Sequence, residues 1–146
     1  MKAVSTVVRP SVAFVVLIAL LIGCARVQPI YEVHDRSVPS SLGALGFTEV
    51  EKRLIDAAAA TQWQAVPVRP GLLRATTSWR RHSAVVNIEY NSNSYSIRHV
   101  SSSNLREGVG HQDSLYSGQK VIHRNYNRRV KQLELEIERR LYSPAS

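Results

Sequence analysis

The sequence predicts an α+β domain of two layers, in which a three-stranded antiparallel meander packs on an N-terminal helix and a long C-terminal helix, in the order α-β-β-β-α. Three observations lead there. Residues 73–99 hold three segments whose apolar positions alternate with polar ones and coincide across both intervening turns. A capping-box pair opens a helical period ahead of them, and one apolar stripe runs through the end of the chain. Two helical stripes and one sheet face are buried together when both helices lie on the same side of the sheet. The opposite sheet face then stays in water.

The first helix opens at Thr48 and Glu51, whose spacing lets each side chain reach the other's backbone N–H. Val50, Leu54, Ile55, Ala57, Ala58 and Thr61 follow at helical spacing, so the helix is expected to end near Gln62 with Trp63 at the edge of the core. Pro67 and Pro70-Gly71 mark a turn. Leu73, Ala75, Thr77 and Trp79 then alternate with Arg74, Thr76, Ser78 and Arg80. A turn at Arg80-Arg81 opposes Trp79 to His82, Thr77 to Ala84, Ala75 to Val86 and Leu73 to Ile88. A second turn at Asn91-Ser92-Asn93-Ser94 opposes Tyr90 to Tyr95, Ile88 to Ile97 and Val86 to His99. A slip of one residue would throw each apolar set to solvent, so the register is specified. Arg80-Arg81 lacks the Gly or Asn favoured in two-residue hairpins, which predicts a longer loop or a bulge there. The polar stretch after Val100 carries Gly108, Gly110 and Gly118. Beyond it a helix is expected over residues 119–141, with Ile122, Tyr126, Val130, Leu133, Ile137 and Leu141 on one face.

The N-terminus says most about location. Lys2 and Arg9 precede an apolar run over residues 12–22 that closes on Leu21-Ile22-Gly23-Cys24, and Cys24 is the only cysteine. That run has 11 residues, against roughly 20 for a helix that spans a bilayer, so it reads as a lipoprotein signal peptide rather than a retained anchor. Signal cleavage between Gly23 and Cys24 would leave a diacylglyceryl cysteine whose freed amine takes a further acyl chain such as palmitate. An ordinary secretory peptide is the competing reading, but small secreted domains pair their cysteines, and Cys24 has no partner in the sequence. Ala25, rather than Asp, follows the cysteine, a pattern that resembles cargo sorted to the outer membrane, facing the periplasm. The organisation expected is a signal peptide over 1–23, a flexible tether over 24–46, a single domain over 47–142 and a tail over 143–146. Random-coil scaling lets such a tether hold the domain roughly 25 Å from the lipid. Packing of Ile30, Tyr31 and Val33 on the domain as a short arm is the alternative.

The chain has 19 basic and 11 acidic residues, and cleavage removes two of the former and none of the latter, leaving 17 against 11 and a net charge of +6. In the envelope such a surface meets phospholipid headgroups, lipopolysaccharide phosphates or peptidoglycan carboxylates before nucleic acid, through an attraction that salt screens. Nucleic-acid binding through Arg80-Arg81 and Arg128-Arg129 conflicts with export and lacks interleaved aromatic residues.

Pro70-Gly71-Leu72-Leu73-Arg74-Ala75, Arg81-His82-Ser83-Ala84-Val85-Val86, Tyr95-Ser96-Ile97, Ser103-Asn104-Leu105 and Ile122-His123-Arg124-Asn125-Tyr126-Asn127 resemble a group of short uncharacterised proteobacterial lipoproteins. The likeness covers nearly all of the mature domain. In that group an aromatic residue, usually Trp, often precedes the valine after the Tyr-Asn segment, where this chain has Arg129. The resemblance implies a lipid-anchored envelope protein and carries no catalytic residue.

Candidate sites follow from the register. The exposed sheet face presents Arg74, Asn87 and Arg98 beside Thr76 and Val85, a candidate surface for an envelope protein, lipopolysaccharide or peptidoglycan, with the polar loop from Ser101 to Gly118 as the alternative docking site and Glu89 expected to pair across strands with Arg74 and Arg98. The serines lack a Gly-x-Ser-x-Gly elbow, and no metal or other cofactor is implied by ligand spacing. The favoured expectation is therefore a noncatalytic envelope lipoprotein that binds membrane lipid through acylated Cys24. The alternative is a small periplasmic enzyme or metal-handling factor using His82 and His99, which the register puts on the inner sheet face two strands apart, and His123, which lies one position from the helical stripe and within reach of either near the sheet edge.

Overall fold

The structure, a computed structural model, describes residues 26–112 and 114–143. The expected signal peptide, its Gly23/Cys24 cleavage site and the Cys24 attachment point lie outside the described residues, as do residues 144–146 of the expected tail.

The architecture is mostly β, and this corrects the expected three-stranded meander on two helices. A five-stranded antiparallel sheet runs in the order β2 (Val33–Ser37), β6 (Ser94–Ser103), β5 (His82–Tyr90), β4 (Leu72–Trp79), β3 (Gln64–Arg69). A second antiparallel sheet has the order β1 (Val27–Pro29), β8 (Lys120–His123), β7 (Gly108–Val109). Helix α1 (Ser40–Gly43) is short, while α2 (Phe47–Ala60) and α3 (Arg124–Leu141) pack on each other and bury their stripes in the core.

The central strands have the register that alternation requires. Trp79 faces His82, Leu73 faces Ile88, Tyr90 faces Tyr95, and Val86 faces His99. Leu73, Ala75, Ala84, Val86, Ile88 and Ile97 are fully enclosed, which at roughly 25 cal/mol per Å² of apolar surface is the main source of cohesion. They pack against Val50, Leu54, Ala57 and Ala58 of α2 and Tyr126, Val130, Leu133 and Ile137 of α3. Trp63 is buried with them at 2% exposure, inside the core rather than at its edge.

Strands missed by the alternation account for the correction. β3 carries Pro67, which an outer strand tolerates because one side of its backbone needs no partner. β2 has a single buried residue, Val33, so its sequence shows no apolar period. The last helix begins at Arg124 rather than near residue 119, because Val121 and Ile122 are extended in β8 and the His123 side chain accepts a hydrogen bond from the Asn125 N–H as the N-cap. The Thr48/Glu51 capping box does not form: α2 starts at Phe47 after Gly46, and Glu51 instead accepts a hydrogen bond from the Tyr90 hydroxyl.

Residues 26–46 are likewise built into the fold where a flexible tether was expected, and the arm alternative describes them better. Val27 pairs with His123 in β1–β8. Tyr31 donates its N–H to Asn127 Oδ1 at 2.9 Å and its hydroxyl to Glu134 Oε2 at 2.5 Å, while Arg36 Nε donates to Glu134 Oε1 at 3.0 Å. Asn127 Nδ2 also donates to the Pro29 carbonyl at 2.8 Å. Two buried polar side chains of α3, Asn127 and Glu134, thus hold the arm on the domain. Among the described residues no helix is long and apolar enough to cross a membrane.

Candidate functional site

The sheet-face residues do share one cross-strand row. Arg74 lies opposite Asn87, which lies opposite Arg98, and Arg74 Nε donates to Asn87 Oδ1 at 3.3 Å. Arg98 is engaged by the arm: its guanidinium sits 3.7 Å from the Glu32 carboxylate and contacts the His34 ring. Glu89 forms no ion pair among the described residues, contrary to the expected cross-strand trio, because it pairs in register with Leu72 and Ser96 rather than with the arginines.

The three histidines have separate tasks. His82 Nδ1 is 2.8 Å from the Asn104 carbonyl. His99 is packed edge-on against Tyr126, with ring centroids 5.2 Å apart, and its Nε2 lies 3.5 Å from Glu107 without hydrogen-bond geometry. His123 caps α3. Its pKa is lowered, first by burial and then by His82, Arg106, Arg124 and Arg26, and this suits an Nδ1 that must stay unprotonated to accept from Asn125. Among the described residues no group of His, Cys, Asp and Glu converges as a metal site.

A concavity lies elsewhere, in an open groove of about 880 Å³. Its walls are the end of α2 (Ala60, Thr61, Gln62), the β4–β5 turn (Trp79, Arg80, His82) and one face of α3 (Asn125, Arg128, Arg129, Gln132, Leu135, Glu136, Arg139). Trp79 forms the apolar floor, with the Arg129 guanidinium 4.2 Å over its ring and the His82 ring 5.5 Å away. Stacking of this kind holds Arg129 in place without neutralising it. The one carboxylate in the groove is already taken, since Glu136 accepts from Arg139 at 2.6 and 2.8 Å and from Arg140 at 2.7 Å. The Arg139 guanidinium beside it is the main reason its pKa is held down to about 2. Arg80, Arg128 and Arg129 have no carboxylate partner among the described residues.

The turn at the groove is tighter than expected. Trp79 pairs directly with His82, so Arg80-Arg81 is a two-residue connection, and Arg80 adopts φ +54°. A non-glycine residue in this region costs on the order of 1 kcal/mol or more, and Gly or Asn would relieve it. The two arginine doublets were the signal for this groove in the sequence. What sequence reasoning missed is that the turn and α3 bring them to one cleft around Trp79, which supplies an aromatic surface beneath Arg129. Compared with known protein families, curated proteins and solved structures, the chain matches none.

Proposed function

We propose that this chain is a noncatalytic lipoprotein of the bacterial envelope, acylated at Cys24, sorted to the outer membrane and facing the periplasm, whose groove binds an anionic group. The anchor rests on the apolar run ending in Leu21-Ile22-Gly23-Cys24. The binding role rests on one observation: Arg80, Arg128 and Arg129, none paired with a carboxylate among the described residues, line one groove with Trp79 and His82, while the groove's single carboxylate is occupied by Arg139 and Arg140. Guanidinium forks are suited to phosphate and carboxylate groups, which they engage through paired N–H donors. The envelope offers such groups on phospholipid, lipopolysaccharide and peptidoglycan. The histidine-based enzymatic alternative has weaker support, because His99 faces Tyr126 and Glu107 whereas His82 and His123 are engaged by Asn104 and Asn125.

Intact mass spectrometry of membrane-extracted protein is expected to show cleavage before Cys24 and an added diacylglyceryl group; an unmodified thiol on an uncut chain contradicts the anchor. Titration of the same protein with inorganic pyrophosphate is expected to change Trp79 emission, with little response from the enclosed Trp63. No change in emission or in heat of mixing contradicts the binding role.

A further inference from the structure

The arm shortens the distance between the acylation site and the folded domain. Arg26 is already fixed in the fold, where its carbonyl accepts a hydrogen bond from the Arg124 N–H at 3.0 Å, and β1 begins at the next residue. Only Ala25 lies between Arg26 and Cys24, and those two chain steps reach at most roughly 7 Å. The headgroup layer on one side of a bilayer is itself roughly 5–8 Å thick. A domain acylated at Cys24 therefore stands on the membrane surface, and the region around Arg26 is the part that meets it.

That region is cationic. Backbone contacts run outward from Arg26 to Arg124, to His123 paired with Val27, to Leu105 whose carbonyl accepts from the His123 N–H at 2.7 Å, and through Asn104 to His82. Arg106 follows Leu105 in the chain, and His82 lies at the wall of the groove. Arg26, Arg106 and Arg124 all lie close enough to His123 to act on its charge, as does His82, which lines the groove together with Arg80 and Arg128, and all five arginines are exposed. Glu107, the adjacent carboxylate, is engaged by the Ser102 hydroxyl at 2.7 Å.

Three of these arginines oppose local preference. Arg80 and Arg106 occupy left-handed backbone at φ +54° and +52°, positions that favour Gly or Asn. Arg124 opens α3, whose first turn has no acidic residue, and there a cation faces the positive end of the helix dipole.

We infer that this face docks on the phosphate headgroups of an anionic bilayer, and that the occupant of the groove is a membrane phospholipid headgroup. The inference rests on the proposed acylation of Cys24 for its geometry. Acyl chain and basic surface then act as two signals of one anchor, and each arginine contributes about fivefold to the ratio of docked to undocked orientations.

The test uses the full membrane-extracted protein with vesicles of phosphatidylethanolamine and phosphatidylglycerol, or of phosphatidylcholine alone, and reads quenching of Trp79 by acrylamide. Shielding of Trp79 is expected on the anionic vesicles only. It should be released at about 1 M salt, where the Debye length is about 3 Å, and lost in the combined Arg80→Gly, Arg106→Gly, Arg124→Gln variant, whose glycines suit the two backbone positions. Equal quenching on both vesicle types overturns the inference, as does shielding that survives the triple substitution in a protein with an unchanged melting profile. Free inorganic phosphate that shields Trp79 as well as the vesicles do also overturns the lipid assignment. The mass of the same sample reports acylation separately, so an unacylated protein defeats the lipoprotein reading while quenching still reports on the face.

Discussion

Two basic surfaces lie on this molecule, the open face of the five-stranded sheet and the groove beside α3, and they differ in what their arginines face. On the sheet, Arg98 is held by Glu32 and His34 from the N-terminal arm, and Arg74 by Asn87. In the groove, Arg129 lies on an aromatic ring, Arg80 sits on a strained turn, and the one carboxylate is committed to Arg139 and Arg140. Charge spread evenly along a sequence is thus sorted by folding into paired and available cations. The carboxylate that pairs with Arg98 comes from the arm, a segment whose sequence shows no apolar period, while Arg74 meets only the neutral Asn87 amide.

The largest expected effect removes the scaffold shared by both surfaces. Ile97→Asp places an unpaired charge at a fully enclosed position of β6, where the cost is about 3–5 kcal/mol; thermal melting is expected to show an unfolded or severely destabilised chain. Next in size is Glu134→Ala, which strips the hydrogen-bond acceptor from Tyr31 and Arg36. A loss of about 1–3 kcal/mol is expected by denaturant melting, together with faster hydrogen exchange over the arm. Detaching the arm also takes Glu32 away from Arg98, so this variant sharpens the comparison by making the sheet face more available to anions.

A smaller change acts on the groove alone. Arg80→Gly relieves the positive φ and is expected to raise stability by about 1 kcal/mol while weakening pyrophosphate binding. Stability and binding then move in opposite directions, which a purely structural role for Arg80 does not produce. The smallest effect is expected from pH. Burial, followed by the neighbouring cations, lowers the His123 pKa below its ordinary 6.5. As pH falls below 6.5 the unfolded chain takes up this proton before the folded one does, so stability declines until the folded pKa is passed. Melting at pH 7 and pH 5 should show the decline, and His123→Asn, which keeps an N-cap acceptor, should flatten it.

The central meander was legible because both faces of β4, β5 and β6 announce themselves by period two, and only one register satisfies all three. Helix α3 was legible from Tyr126 onward for the analogous reason. The edges were not: β2 buries one residue, β3 contains Pro67, and β1 and β7 are too short to hold a period. Their places are set by partners distant in sequence, such as Asn127 and Glu134 for the arm. The sheet-face row of Arg74, Asn87 and Arg98 could be read from register, but the pairing of Arg98 with Glu32 could not. The groove needed the strained Arg80-Arg81 turn and the placement of α3, neither of which the arginine doublets specify by themselves.

The comparison of the two surfaces is tested most directly by calorimetric titration of pyrophosphate into Arg128→Gln and Arg98→Gln, each with the fold verified by melting. Removing a charge-assisted contact is worth about 1.5–3 kcal/mol, or roughly tenfold or more in affinity. The expected result is a loss of that size for Arg128→Gln and unchanged affinity for Arg98→Gln. Equal losses in both variants, or a loss confined to Arg98→Gln, would contradict the assignment of the groove as the anion site.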